Sequence, residues 1–280
     1  MHTRVVVGAA GVAAELRAAG ALAERVRAPV TARAPWLTTV LDTRAGSPVA
    51  VVVETPQRTA VAAAAFLHVR RRGLVARVTA LGDGPAPLPG GRPTTRLLAR
   101  DEEAAGHLAD GITDVVQGLR GPWSLRLAGL PLGDPTSRRV AARFTEGRTA
   151  TRRSTGLVDE LDALGPVVRS RDARQLERWL PLLLAAEPDR RVREFVRAAA
   201  RLHAVTGELE VAVVPDASGE GVRSGLLTLL DRDDRWPWWG PPGAAGLRPE
   251  RGAPLAEVSV PVRSLLPAPD VARRLGGGRG

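Results

Sequence analysis

Three apolar runs follow one another between Ser47 and Gly82, "SPVAVVVETP", "RTAVAAAAFLHVRRR" and "LVARVTALG", and they leave few folds open. All three read as strands, the first and third through their β-branched residues. The first two are separated by the polar turn Thr55–Arg58 and the next by Gly73. Connections that short can only reverse the chain, so the runs predict an antiparallel meander. In the middle run Phe66, His68 and Arg70 fall on one face, Leu67 and Val69 on the other. Its Ala62–Ala65 segment carries little side-chain bulk, which would let a helix or a ligand approach the sheet closely.

The flanking segments extend this pattern. "RVVVG" reads as a short strand, followed by a helix from about Val12 to Val26 and a second helical piece, "APWLTTVLDTR", with Pro35 near its start. After the Gly/Pro loop "GDGPAPLPGGRP" and a brief strand in "TRLLAR" comes "DEEAAGHLADGITDVVQGLRG". There Asp101 is the expected N-cap, and Glu102 and Glu103 lie where the helix dipole favours acids. Leu108, Ile112, Val115, Val116 and Leu119 make an apolar stripe, and Gly121 is expected to close the helix. "PWSLRLAGLP" returns as a strand with Trp123, Leu125 and Leu127 on one face, and Asp134 before Pro135 starts another helix.

"GRTATRRSTG", around Gly147 to Gly156, is polar and reads as an irregular domain joint. Beyond it come a strand in "GPVVRS", helices over Asp172–Ala186 and about Pro188–Val205, a hairpin of "ELEVAVVP" with "GVRSGLLTLLD", and a last strand in "LAEVSVPVRSLL". The expected domains are residues 1–148 and 149–270, with a flexible tail over 271–280.

Composition excludes several classes. A chain of 280 residues that is 44% hydrophobic and 25% charged is globular, and no run approaches the roughly 18 apolar residues of a membrane helix. Glu15 and Arg17 interrupt the N-terminal apolar patch before it reaches signal-peptide length, so the expected location is cytoplasmic. Cysteine is absent, which removes disulfides, thiolate ligands and Cys nucleophiles. The net charge of +10 suggests a polyanion partner, yet all 40 basic residues are Arg, there is no Lys, Asn or Tyr, and Ile occurs once. Those missing types have A/T-rich codons, so a G/C-rich bacterial coding sequence accounts for the arginine excess.

The order strand, two helices, three antiparallel strands, Gly/Pro loop, long helix, strand, helix resembles the N-terminal half of Fem-type aminoacyl transferases and the related acyltransferases of polysaccharide biosynthesis. Both are built from tandem GNAT (acetyltransferase) folds. The resemblance runs from about Arg33 to Phe144 through "APWL", "VARVTALG", the helix after Asp101 and "LRLAGLPLGD", with a fainter echo in "EFVRAAARLHAVTGELEVAVV". It implies an α/β (α+β) fold with a GNAT-like mixed sheet and flanking helices, and a second half that is truncated or reshaped. It also implies an acyl-CoA or aminoacyl-tRNA donor, no metal, and an amine acceptor, and the observation that bears on it most is whether a pair of strands splays around an open, Arg-lined cleft. The expected partners are a small molecule or a cell-wall or polysaccharide precursor, with nucleic acid only as carrier tRNA. The family's coenzyme loop, Arg/Gln-x-x-Gly-x-Gly/Ala, is not matched by "GDGPAPLPGGRP", whose prolines lack N–H donors.

Within this frame His68 and Asp134 are the candidate catalytic residues, and Trp36, Arg126, Trp236 and Trp238 the candidate substrate-binding residues. The Trp-rich "LDRDDRWPWWG" has two readings, a plug over an open core edge or a stacking platform. The first is preferred. Asp231, Asp233 and Asp234 there are neutralised by Arg232 and Arg235, which argues for a salt-bridged strand end rather than a cation site. The functional alternatives are a non-catalytic binding or scaffold protein and a polyanion binder.

Overall fold

The computed structural model describes residues 1–43, 46–57, 59–83 and 93–263. In chain order the elements are β1 (His2–Val7), α1 (Ala9–Ala18), α2 (Gly20–Arg25), α3 (Ala34–Thr43), β2 (Ser47–Glu54), β3 (Val61–Arg72), β4 (Val75–Ala80), β5 (Leu98–Ala99), α4 (Glu102–Gln117), β6 (Trp123–Leu130), α5 (Pro135–Ala142) and β7 (Arg148–Asp159). There follow β8 (Val168–Ser170), α6 (Ala173–Ala185), α7 (Arg190–Val205), β9 (Leu209–Pro215), β10 (Val222–Asp231), β11 (Asp234–Trp239) and β12 (Leu247–Arg263). The Gly/Pro loop from residue 84 to 92 and the tail from 264 lie outside the described residues.

The strands form two sheets. The larger has eight strands in the order β1-β2-β3-β4-β6-β12-β7, with the short β5 paired to β3; the smaller is β11-β10-β9-β8. The meander forms as expected: β2 pairs β3 and β3 pairs β4, both antiparallel. Only β4 and β6 pair in parallel among the described strands. Alternation along β3 sends Ala64 and Phe66 into one core and Ala63, Ala65 and Leu67 into another on the opposite face. Ala63 and Ala65 share the second core with Ala104, Leu108 and Ile112 of α4. A Cβ on Gly111 of α4 would stand 2.6 Å from Val51 Cγ1 and 2.7 Å from Thr3 Cγ2, so the helix touches the sheet through a bare backbone there.

A second chain reversal repeats the first. In each sheet a strand is followed by helices and then by three antiparallel strands, giving the orders β1-β2-β3-β4 and β8-β9-β10-β11. The second copy stops at β11. The helices α1, α3, α6 and α7 share one core between the two sheets, where Trp36 meets Phe195 and Trp238 edge-on at ring-centroid distances of 5.2 and 5.4 Å. Such aromatic pairs stabilise by about 0.5–1.5 kcal/mol beyond the area they bury.

Several local expectations are corrected. The first helix breaks at Ala19 into α1 and α2. The helix after Asp101 ends at a Gly118 C-cap, three residues before Gly121. "GRTATRRSTG" is not irregular: it forms most of β7, an exposed edge strand whose two faces both meet solvent, so it carries no apolar alternation. "DRWPWW" is a third strand of the small sheet, β11, where no strand was expected after β10. Pro237 is tolerated because β11 is an edge strand. β7, which begins at Arg148, pairs with β12, and β12 joins it to β6 in the large sheet.

Candidate functional site

The parallel pairing of β4 with β6 runs from Ala76↔Trp123 to Thr79↔Arg126 and stops. Beyond it β4 ends while β6 continues to Leu130. The next strand over, β12, pairs Ala256 with Leu130 and Val258 with Leu127, so Glu257 faces two residues, Ala128 and Gly129. This is a β-bulge, and it bends β6 away at the point where its other neighbour has been lost. Gly129 takes φ 73°, a left-handed conformation that an L side chain seldom adopts. Its carbonyl oxygen accepts from both Thr94 N and Thr95 N, at 2.9 and 3.0 Å.

The resulting cleft has a volume of about 230 Å³ and an apolar floor of Ala128, Leu255 and Ala256. Its charged wall comes from four elements: Asp83 after β4, Arg126 on β6, Arg152 on β7 and Glu257 on β12. Arg126 Nη2 donates to Glu257 Oε2 at 2.9 Å, and Arg152 Nε lies 2.9 Å from the same oxygen. Arg126 Nη1 is 3.6 Å from Asp83 Oδ2. The guanidinium of Arg126, joined by that of Arg152, holds the buried Glu257 carboxyl below the usual carboxylate range despite the opposing effect of burial. Glu257 is thus an ionised anchor for two arginines rather than a base poised near neutrality.

The expected site residues divide among separate places. Arg126 lines the cleft. Trp36 is wholly buried behind it; a Cβ built on Gly82, a cleft residue, would stand 4.0 Å from Trp36 Nε1. Trp238 packs on Trp36 in the shared core, and Trp236 is a partly buried neighbour of that core. His68 is buried at 2% exposure on β3, beside a small cavity bounded by Val40, Leu41, Pro48 and Leu81. Asp134 caps α5, its carboxylate accepting from Ser137 N at 2.8 Å; burial raises its pKa above the ordinary value. The structure therefore groups Trp36 with Trp238, sets Arg126 apart in the cleft, and leaves His68 and Asp134 each in its own surroundings. Asp83, Arg152 and Glu257 were not anticipated. The available signal was the lone glycine in "LRLAGLP", since glycine inside a strand marks a bulge or a close backbone approach.

The resemblance implies a coenzyme pyrophosphate at the N-terminus of the helix after the Gly/Pro loop, here α4. That end does not fit such a group. The Asp101 carboxylate accepts from Ala104 N at 2.8 Å, satisfying a donor the pyrophosphate would need, and Glu102 and Glu103 add two acids in the first turn. Arg100 is spent on Asp101 at 2.8 Å and Arg139 on Glu102 at 2.7 Å. Three carboxylates at a helix N-terminus answer its dipole internally and repel a second anion.

Elsewhere the arginines are interleaved with acids: Arg4 with Glu15 and Glu54, Arg143 with Asp110, Arg169 with Asp159 and Asp162, Arg201 with Glu177. No helix among the described residues is long and apolar enough to cross a membrane.

No family model matches the chain, and no curated protein matches it. Among solved structures it is similar to a tandem GNAT protein from the clavulanic acid biosynthesis pathway, at 12% identity over 98% of this chain and 94% of that one, with a TM-score of 0.39. It is also similar to a GCN5-related N-acetyltransferase from Sphaerobacter thermophilus (10% identity, 94% and 96% covered, TM-score 0.35). A GCN5-related N-acetyltransferase from Kribbella flavida is a further likeness (12%, 87% and 95%, TM-score 0.30). All three are distant in sequence and in backbone superposition, so the chemistry of this chain must come from its own residues.

Proposed function

We propose that the chain is an acyltransferase-type protein that works at the cleft between β4 and β6, where an amine acceptor takes the acyl group of a thioester or aminoacyl donor and the donor's thiol or tRNA hydroxyl departs. The observation that carries this reading is the parting of β4 and β6, the parallel pair among the described strands, after Thr79 and Arg126, which opens an arginine-lined cavity. The Asp83 and Glu257 carboxylates would hold the amine, and the fixed charges of Arg126 and Arg152 would orient the acceptor. Rate enhancement then comes from orientation and from fixed charge rather than a covalent intermediate. The chain has no Tyr to act as proton donor, so water in the open cleft would handle proton movement. The filled end of α4 means that a donor would enter without an anchor there, and no step is assigned to coenzyme A.

One observation favours a second reading, a binding protein that keeps the fold without transfer: the three acids at the α4 N-terminus close the expected donor site. Thermal-shift titration with acetyl-CoA, longer acyl-CoAs and charged tRNA, followed by mass spectrometry of added amines, separates the two. A donor-dependent shift with acylated product supports transfer. Shifts with amines alone support binding. Retention on heparin that survives high salt would instead favour a polyanion binder, against the acid-paired arginines described above.

A further inference from the structure

The charges lining the cleft specify a ligand more narrowly than "an amine". Two cations, Arg126 and Arg152, and two anions, Asp83 and Glu257, surround a cavity of about 230 Å³. The set is electrically balanced among the described residues, so a ligand carrying a single net charge leaves one partner without a counterpart on the ligand. A zwitterion leaves none. The donors for its negative end are at hand: both arginines converge on one oxygen, Glu257 Oε2, and Arg152 uses only its Nε there. The two Nη groups of Arg152 form no other hydrogen bond among the described residues and can grip a carboxylate side-on. The acceptors for its positive end are Glu257 Oε1, which takes no hydrogen bond from an arginine among the described residues, and the Asp83 carboxylate, which already lies 3.6 Å from Arg126 Nη1. A cavity of this size lies below the usual range for drug-sized ligands, roughly 300–1,000 Å³, and its floor of Ala128, Leu255 and Ala256 suits a short aliphatic group.

We infer that the cleft binds a small α-amino acid, with the carboxylate on Arg152 and Arg126, the ammonium on Asp83 and Glu257, and an aliphatic side chain over the apolar floor. This rests on the cleft being the acceptor site and names the class of acceptor: an amino acid rather than a simple amine or an acid.

The test is isothermal titration of the full chain with L-alanine, L-valine, L-leucine and L-threonine, each beside two single-charge counterparts. For L-valine these are 3-methylbutanoate, which lacks the ammonium, and L-valinamide, which lacks the carboxylate. At least one amino acid should bind about tenfold or more tighter than both of its counterparts, the scale of one hydrogen-bonded charge. Arg152→Gln, a change at an exposed position on an edge strand, should remove the preference of L-valine over L-valinamide while leaving the circular dichroism spectrum unchanged. Amides that bind as tightly as the acids would overturn the amino-acid assignment and leave an amine-acceptor cleft standing. Binding of 3-methylbutanoate alone, or of none of the probes, would overturn both.

Discussion

Arg33 Nη2 lies 2.7 Å from Asp231 Oδ1, joining residues 198 apart in sequence across the seam between the two repeated strand–helix–meander units. The pair is buried, with side-chain exposures of 11% and 8%, and Arg33 also lies 3.5 Å from Glu208, which takes His203 Nδ1 at 2.9 Å. Removing the guanidinium strands the Asp231 carboxylate at the seam, while Glu208 keeps His203 and Thr206. Arg33→Met should destabilise by about 3–5 kcal/mol, whereas Arg33→Met combined with Asp231→Leu should recover part of that loss. Urea denaturation of both variants measures it, and a double variant no better than the single would show that Asp231 is not the partner that matters.

Gly129 makes the cleft possible and tolerates no side chain. A Cβ there would overlap the Thr94 hydroxyl, and the residue already sits at φ 73°. Gly129→Ala should cost more than about 1 kcal/mol from backbone strain alone. Adding Thr94→Ala would relieve the overlap but not the strain, so the melting temperature should recover only in part.

Asp134 is a cap in a costly place. Replacing it by Ala should cost about 1 kcal/mol through the lost hydrogen bond to Ser137 N. Asp134→Asn keeps an acceptor and removes a buried charge, so it should match or exceed the wild type near neutral pH. Because burial raises the folded-state pKa, the favourable contribution of Asp134 is present below its unfolded value of 3.8 and lost as pH rises through the folded one. The advantage of the Asn variant should therefore shrink on acidification.

Glu257 predicts the opposite slope. Its folded pKa lies below the model-compound value of 4.5 because of the arginine clamp, so its contribution is present above that value and lost as pH falls through the folded one. The stability gap between the wild type and Glu257→Gln should be widest near neutrality and close in acid. A gap independent of pH would mean that folding does not shift the Glu257 pKa, and one that widened in acid would mean the carboxyl is held protonated in the fold.

The parts of the molecule written in local pattern were readable from the sequence. The meander follows from three strand-length runs, and Asp101 and Asp134 cap their helices as their positions beside Glu102 and Pro135 required. Phe66 and Leu67 bury on opposite faces as alternation demands. What failed was written elsewhere. β7 lies at a solvent edge, so "RTATRRSTG" has no apolar rhythm to betray it, and β11 begins after a turn in which Arg232, a non-glycine, takes φ 59°. The cleft was hidden for a different reason: Arg126, Arg152 and Glu257 meet only because β12 returns past the entire second unit to pair with β6, a long-range register that no window of sequence contains.

That return has a consequence for synthesis. During translation β7 leaves the ribosome before residues 160–246, and β12 only after them, so the large sheet cannot close until the inserted unit has been made. Until then β6 and the edge of β7 lack their shared neighbour, and the carboxylate that clamps Arg126 and Arg152 does not yet exist. The nascent chain must shelter two open strand edges through the making of a whole second sheet, which makes this stage its most exposed to misassociation.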